Sequence, residues 1–118
     1  MFIEEPSKQE KRRFKRAKFG NPVSFRLKEG GSFSGCLAHD ISEGGMRVQV
    51  NDFLPVNTEM ILQSRIPQTS KVIDVAGRIT WLQRVPFSDR YQVGLQFTQT
   101  NSAVQEEIRS YVRSQSSN

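Results

Sequence analysis

Residues 23–50 read VSFRLKEGGSFSGCLAHDISEGGMRVQV, and their apolar side chains recur mostly at every second position. Alternation with period two is typical of β-strands, because successive side chains of a strand point to opposite faces. Glycine-containing segments at residues 29–32 and 43–45 interrupt the alternation and favour turns. The stretch therefore predicts three consecutive strands, whose inward-facing sets are Val23, Phe25 and Leu27, then Phe33, Leu37 and Ile41, then Met46, Val48 and Val50.

Beyond residue 50 the same alternation predicts three more strands, at residues 60–62, 71–84 and 91–97. The period then changes to three and four residues, which predicts one apolar face of a C-terminal helix, made of Val104, Ile108, Tyr111 and Val112. Ser102 and Gln105 have the spacing of a capping box that begins such a helix. The pattern predicts a mainly β fold, a small six-stranded antiparallel barrel closed by a C-terminal α-helix.

Length and composition favour one soluble domain with tails. The chain has 118 residues, of which 36% are hydrophobic, enough for one core. We expect a basic N-terminal arm at residues 1–19, a barrel with its helix at 20–114 and a tail at 115–118. No signal-peptide pattern and no membrane-length apolar run is visible, so a cytoplasmic protein without membrane insertion is expected.

The supply of catalytic and metal-binding residues is small. One cysteine, Cys36, excludes an internal disulfide and a cysteine-rich zinc site, and His39 is the only histidine. Common nucleophile, phosphate-loop and metalloprotease motifs are absent from the sequence. We therefore expect a protein that is not an enzyme and that uses no metal or other cofactor.

The positive charge is concentrated at the N-terminus. Residues 1–20 contain seven basic and three acidic side chains, whereas the rest contains ten basic and nine acidic, and the net charge is +5. Such an arm predicts an anionic partner, although a merely solvated tail has the same composition.

Within the arm, Arg12, Arg13 and Arg16 form an Arg-Arg-x-x-Arg cluster. A guanidinium group presents a planar fork of donors that matches phosphate oxygens and the O6/N7 edge of guanine, and it can also stack on a purine ring. The cluster alone is equally compatible with general binding of nucleic acid.

A second motif, Asp-x-Ser-x-x-Gly, is formed by Asp40, Ser42 and Gly45 at the end of the second strand. We expect Asp40 and Ser42 to face outward, where the carboxylate could accept hydrogen bonds from guanine and the hydroxyl could bind phosphate or a ring nitrogen. Gly45 would permit a close backbone approach that a Cβ blocks. The alternative is an ordinary turn between two strands, stabilised by short polar side chains.

Together, the two motifs at this spacing resemble the PilZ family, a resemblance that extends over about residues 11–112. Residues 77–81, GRITW, resemble the long strand of that family, and residues 91–97, YQVGLQF, resemble its last core strand. The resemblance implies a PilZ-type barrel that binds cyclic di-GMP. It implies ligand-binding roles for Arg12, Arg13, Arg16, Asp40, Ser42 and Gly45.

Trp81 is a further candidate, which either stacks on a guanine at the wall of the site or belongs to the core. The expected mechanism is that ligand binding orders the arm, which then signals through a downstream protein partner. Two alternatives remain: a basic barrel that binds single-stranded nucleic acid, and a module that has lost its ligand and works only by protein contacts. A carboxylate at Asp40 disfavours the first, because it would repel phosphates.

Overall fold

The computed structural model describes residues 14–115, which form a closed six-stranded barrel and one helix. All neighbouring strands are antiparallel, in the order β1-β2-β3-β6-β5-β4, and pairing of β1 with β4 closes the barrel. This confirms the predicted fold class. The elements are β1 Ala17–Leu27, β2 Gly30–Ser42, β3 Gly45–Val50, β4 Glu59–Arg65, β5 Val72–Arg84, β6 Tyr91–Gln99 and α1 Ser102–Gln115.

The barrel interior is filled by the alternating apolar residues of its strands. The inward set predicted for β3 is confirmed, since Met46, Val48 and Val50 are all buried. Burial of apolar side chains on one face of each strand is the main stabilising contribution to such a fold. β1 begins at Ala17, three residues before the expected start of the barrel, and Ala17 itself is buried.

The predicted inward faces of β1 and β2 are partly wrong. Leu27, Phe33 and Leu37 are 40%, 43% and 41% exposed, whereas Ala38 and Ile41 are fully buried. A bulge in β2 explains why the buried and exposed positions are exchanged. From Ala38 to Asp40 the chain of β2 advances two residues, whereas the partner strand β3 advances only one. One extra residue reverses the face on which every earlier side chain lies.

The helix begins with a different cap from the predicted one. Asn101, rather than Ser102, accepts the hydrogen bond from the Val104 N–H, at 2.8 Å from its side-chain oxygen. Asparagine is among the most effective N-cap residues. The predicted apolar face is confirmed, since Ile108, Tyr111 and Val112 are buried against the barrel.

Candidate functional site

A row of paired residues crosses five strands on the outer surface of the barrel. Its members are directly opposed, strand by strand, in the order Lys18, Asp40, Arg47, Gly94 and Trp81. Opposed residues of antiparallel strands share one face of the sheet, with Cβ atoms roughly 4.5–5.5 Å apart. The register therefore places Asp40 and Trp81 on the same outer strip, which we call the outer row.

Asp40 holds two arginine side chains in the outer row. Arg16 Nη1 donates to Asp40 Oδ1 at 2.7 Å, and Arg47 Nε donates to Asp40 Oδ2 at 2.9 Å. Arg47 also donates to Gln92 Oε1 at 2.7 Å. The Asp40 side chain is only 17% exposed, so these charge-assisted bonds are partly shielded from water. We call Arg16, Asp40, Arg47 and Gln92 the carboxylate cluster.

Trp81 is fixed at the far end of the outer row by a glycine. A Cβ placed on Gly94 would collide with the indole Nε1 of Trp81, so the ring lies directly on the Gly94 backbone. Trp81 is half-buried, unlike the core residue Ile79 on the same strand, which is fully buried. The indole is therefore a partly exposed aromatic surface in the same row as Asp40 and Arg47.

Residues 42–45 form a tight connection between β2 and β3, which we call the motif turn. The Ser42 hydroxyl oxygen accepts a hydrogen bond from the Gly44 N–H at 3.2 Å, and the hydroxyl donates to the Gly45 carbonyl at 3.4 Å. Ser42 is consequently 4% exposed, although its strand register places it on the same face as Asp40. The expectation that Ser42 projects outward is wrong, because the turn folds over its side chain.

The close packing of β3 on β6 requires a glycine at position 45. A Cβ at this position would collide with the carbonyl oxygen of Leu95 on β6. The close approach expected at Gly45 is therefore an approach between two strands of the barrel. No side chain can rotate away to relieve such a clash, because the obstacle is backbone.

The end of the basic arm reaches the motif turn. The ring of Phe14 lies against Gly44, where an added Cβ would be 2.9 Å from the Phe14 Cδ2 atom. Two residues later, Arg16 bonds to Asp40. The structure thus brings Arg16, the last arginine of the first motif, to Asp40 of the second motif, 24 residues away in sequence.

Helix α1 contacts the motif turn and the start of β1. Arg109 donates two hydrogen bonds to the Glu43 carboxylate in the motif turn, at 3.2 and 3.1 Å, and these bonds raise the pKa of the guanidinium. The Tyr111 hydroxyl donates to the Lys18 carbonyl at 2.8 Å, and burial raises the pKa of the phenol. The helix therefore holds the motif turn and the start of β1 in fixed relation.

The predicted site residues have three different positions. Arg16, Asp40 and Trp81 lie at the outer row, whereas Ser42 and Gly45 are built into the motif turn. Arg12 and Arg13 lie outside the described residues. Three site residues were missed by sequence reasoning: Arg47, Gln92 and Gly94.

Arg47 carries a signal in the sequence, since it lies between Met46 and Val48, which the alternation places inward, and therefore has the outward parity of β3. Its partner Asp40 could be identified only from the register of β2 on β3. Gln92 and Gly94 gave no signal of their own, because their roles depend on the side chains that β3 and β5 place against them.

The outer row offers guanidinium donors, one carboxylate acceptor and an aromatic face, which suits a planar heterocycle carrying negative charge. Among residues 14–115, no group of three or more histidine, cysteine, aspartate or glutamate side chains is arranged to hold a metal ion. Over the same residues, no helix has both the length and the apolar character needed to cross a membrane.

A family model described as PilZ domain matches residues 10–114. No match was found among curated proteins. Solved structures with the same fold include the Bacillus subtilis inhibitor of motility MotI/DgrA, with a TM-score of 0.75 and 19% identity over 88% of this chain. The match covers 50% of that protein, so this chain spans half its length.

Two further structures are described as complexes with c-di-GMP. The PilZ domain of Escherichia coli YcgR has a TM-score of 0.70 and 14% identity, with 90% of this chain and 92% of that chain covered. The K. pneumonia MrkH complex has a TM-score of 0.66 and 18% identity, with 84% of this chain and 49% of that chain covered.

Proposed function

Because the chain belongs to the PilZ domain family, we propose that it is a non-enzymatic receptor for cyclic di-GMP. The observation that carries the proposal is the meeting of Arg16 with Asp40, which joins the two motifs on one outer surface. Structural relatives described as c-di-GMP complexes, YcgR and MrkH, support it further.

The outer row suggests a role for each side chain that faces outward. Arg16 and Arg47 have planar donor groups that match phosphate oxygens or the O6/N7 edge of guanine. Asp40 accepts hydrogen bonds, as recognition of a guanine N1–H and amino group requires. Trp81 supplies a partly exposed ring on which a base can stack, worth roughly 1–3 kcal/mol by analogy with single-stranded nucleic acid.

Asp40 determines when the guanidinium groups of Arg16 and Arg47 become available to a ligand. In the structure both of its oxygens accept bonds from guanidinium groups. A guanine that takes over one carboxylate oxygen would release an arginine donor to a phosphate, so binding exchanges one charge-assisted bond for others. The carboxylate cluster is thus a preorganised set of donors and acceptors, which lowers the conformational cost of binding.

We further propose that Arg12 and Arg13 complete the site when the arm orders around the ligand. Fixing the backbone costs roughly 1–2 kcal/mol per residue, so only a short stretch can be recruited. The arm is already held at Phe14 and Arg16, next to the motif turn. Ordering would create a new surface for a downstream protein partner in the cytoplasm, an order–disorder mechanism.

Calorimetric titration with cyclic di-GMP tests the proposal, with cyclic di-AMP, cyclic GMP, GTP and a single-stranded oligonucleotide as competitors. We expect saturable binding of cyclic di-GMP alone, because a mismatched base leaves buried polar groups unpaired. Equal affinity for the adenine dinucleotide would contradict guanine recognition, and tighter binding of the oligonucleotide would favour the nucleic-acid alternative.

The same titration of two variants tests whether the ligand binds at the outer row. Arg16→Ala should weaken binding roughly tenfold or more, since a hydrogen bond to a charged group contributes about 1.5–3 kcal/mol. Arg90→Ala is the matched control, because Arg90 is an exposed arginine in the turn between β5 and β6. If both variants bind like the wild type, the ligand does not occupy the outer row.

Amide hydrogen exchange of residues 8–20, with and without cyclic di-GMP, tests the ordering of the arm separately. Protection should increase on binding. Equal exchange in both states would reject the ordering mechanism even if calorimetry shows specific binding.

A further inference from the structure

The end of the barrel opposite helix α1 exposes large apolar side chains. Because all neighbouring strands are antiparallel, the connections at residues 28–29, 51–58 and 85–90 lie together at one end, which we call the far end. Helix α1 contacts the motif turn and the β4–β5 connection, which lie at the other end. Half of the exposed large apolar side chains among residues 14–115 lie at the far end: Leu27, Phe53, Val56 and Phe87. Apolar surface gathered in this way is typical of a binding surface.

Phe87 is the most exposed of these side chains, and its backbone conformation is unfavourable. It lies in the hairpin tip, by which we mean residues 84–90, and its φ of 60° is in the left-handed region that bulky residues rarely adopt. Side-chain hydrogen bonds hold this conformation: Arg84 Nε donates to the Ser88 carbonyl at 2.9 Å, and the Ser88 hydroxyl donates to the Val85 carbonyl at 3.0 Å. A glycine at position 87 would remove both the strain and the exposed ring. Because neither property stabilises the fold, the ring is suited to contact another molecule.

A groove at the far end can accept such a ring. It encloses about 580 Å³, and cavities of roughly 300–1,000 Å³ hold drug-sized ligands, so one aromatic side chain fits. Leu27 provides apolar surface on its wall and is 40% exposed, so an inserted ring would remove this surface from water. The groove is lined by Leu27, Lys28, Glu29, Asn57, Thr58 and Glu59.

The hairpin tip and the groove carry opposite net charges. Residues 84–90 contain two arginines and one aspartate, a net charge of +1, whereas two glutamates and one lysine line the groove, a net charge of −1. Complementary charges favour encounter in one orientation and disfavour others. A negatively charged membrane surface would attract the tip but repel the groove at the same end. We propose that two copies of this chain associate through their far ends, with Phe87 of each copy in the groove of the other.

A two-fold axis allows both contacts to form together. Since each copy carries the tip and the groove at the same end, an end-to-end dimer occupies both grooves and closes without further growth. Within residues 14–115, Glu29 has no ion-pair partner, so its carboxylate is available to an arginine of the opposing tip. The motif turn stays uncovered in this dimer, because it lies at the other end of the barrel.

Sedimentation equilibrium over a concentration series tests the proposal. The wild-type chain should pass from monomer to dimer, whereas Phe87→Gly should raise the dimer dissociation constant roughly tenfold or more, because buried aromatic anchors carry much of the energy of an interface. Val72→Ala is the matched control, because Val72 is an exposed apolar residue at the start of β5, away from the far end. This variant should dimerise like the wild type.

Thermal unfolding separates this role from a role in the fold. At a concentration where both proteins are monomeric, Phe87→Gly should melt at the same temperature as the wild type or higher, since glycine adopts a positive φ without strain. A lower melting temperature would make Phe87 a residue that stabilises the hairpin, and would contradict the proposal.

Thiol cross-linking checks which surfaces meet. In an equimolar mixture of Asp89→Cys and Glu29→Cys proteins, the disulfide between unlike variants should form faster than either disulfide between like ones, because the dimer places a tip against a groove. The native thiol does not compete, because burial raises the pKa of Cys36 to about 12.

A wild-type chain that is monomeric at every concentration would overturn the proposal, as would preferential cross-linking of like cysteines. Binding of that monomer to phosphatidylglycerol vesicles, lost in Phe87→Gly, would assign the tip to a lipid surface instead. Equal dimerisation of the Phe87→Gly and wild-type proteins would exclude Phe87 from the interface. None of these results bears on cyclic di-GMP binding, which is measured by separate titration.

Discussion

Asp40 of the carboxylate cluster and the motif turn lie in one six-residue segment, 40–45, but their side chains make different kinds of contact. Asp40 lies on the outer row and contacts other side chains, so its carboxylate can be exchanged between partners. Ser42 and Gly45 contact backbone atoms, and their removal changes the connection itself. One sequence motif therefore combines a side chain on the outer surface, which we propose as a ligand contact, with residues that build the turn beside it.

The largest effect should come from Gly45→Ala. Its methyl group would collide with the Leu95 carbonyl, and separating β3 from β6 should lower the free energy of unfolding by about 3 kcal/mol or more. Thermal unfolding measures this change. Gly35→Ala is the control, because no atom lies within 4 Å of an added Cβ there, and it should behave like the wild type. If both variants are equally stable, Gly45 is not a structural residue of the motif turn.

Asp40→Ala should act mainly on binding. It removes the acceptor of two arginine side chains, and we expect a loss of cyclic di-GMP affinity of roughly tenfold or more, since such bonds contribute about 1.5–3 kcal/mol. Circular dichroism should show a folded barrel. Asp74→Ala, at an exposed position on β5, is the control for loss of a carboxylate. An unfolded Asp40→Ala protein would place Asp40 with the structural residues.

Ser42→Ala distinguishes the two roles most sharply. Loss of the hydroxyl leaves the Gly44 N–H without its acceptor, which should lower the free energy of unfolding by about 1 kcal/mol. Chemical denaturation and calorimetry should be compared on the same protein. An unchanged stability with a large loss of affinity would make Ser42 a ligand contact rather than a residue of the turn.

The smallest effect on stability should follow from Arg109→Ala. Its bonds to Glu43 link helix α1 to the motif turn, but the pair lies at the surface, where ion pairs contribute little. The melting temperature should stay close to that of the wild type. Hydrogen exchange at Gly44 and Gly45 should nevertheless increase, and unchanged exchange there would show that the helix does not hold the turn.

The sequence could predict features that depend on a local pattern, but not those that depend on the pairing of distant strands. The strands and the helical face were predictable, because a period of two or of 3.6 residues is a local property. The bulge in β2 was not, since one extra residue near His39 becomes visible only against β3. The reversed exposure of Phe33 and Leu37 follows from it.

The site followed the same rule. Arg16, Asp40 and Trp81 could be named because their residue types suit a nucleotide ligand. The pairing of Asp40 with Arg47, and the position of the Trp81 indole on Gly94, depend on strand register that no single segment encodes. Asn101 replaced Ser102 as the helix cap because two adjacent residues of similar capping strength compete, and local geometry selects one.

The position of Trp81 also gives the protein an optical property. It is the only tryptophan of the chain, so all indole emission comes from one ring, which lies on Gly94 in the same row as Asp40 and Arg47. A base stacked on that ring would alter the lifetime of its excited state. The unlabelled chain can thus serve as its own fluorescent indicator of events at the outer row.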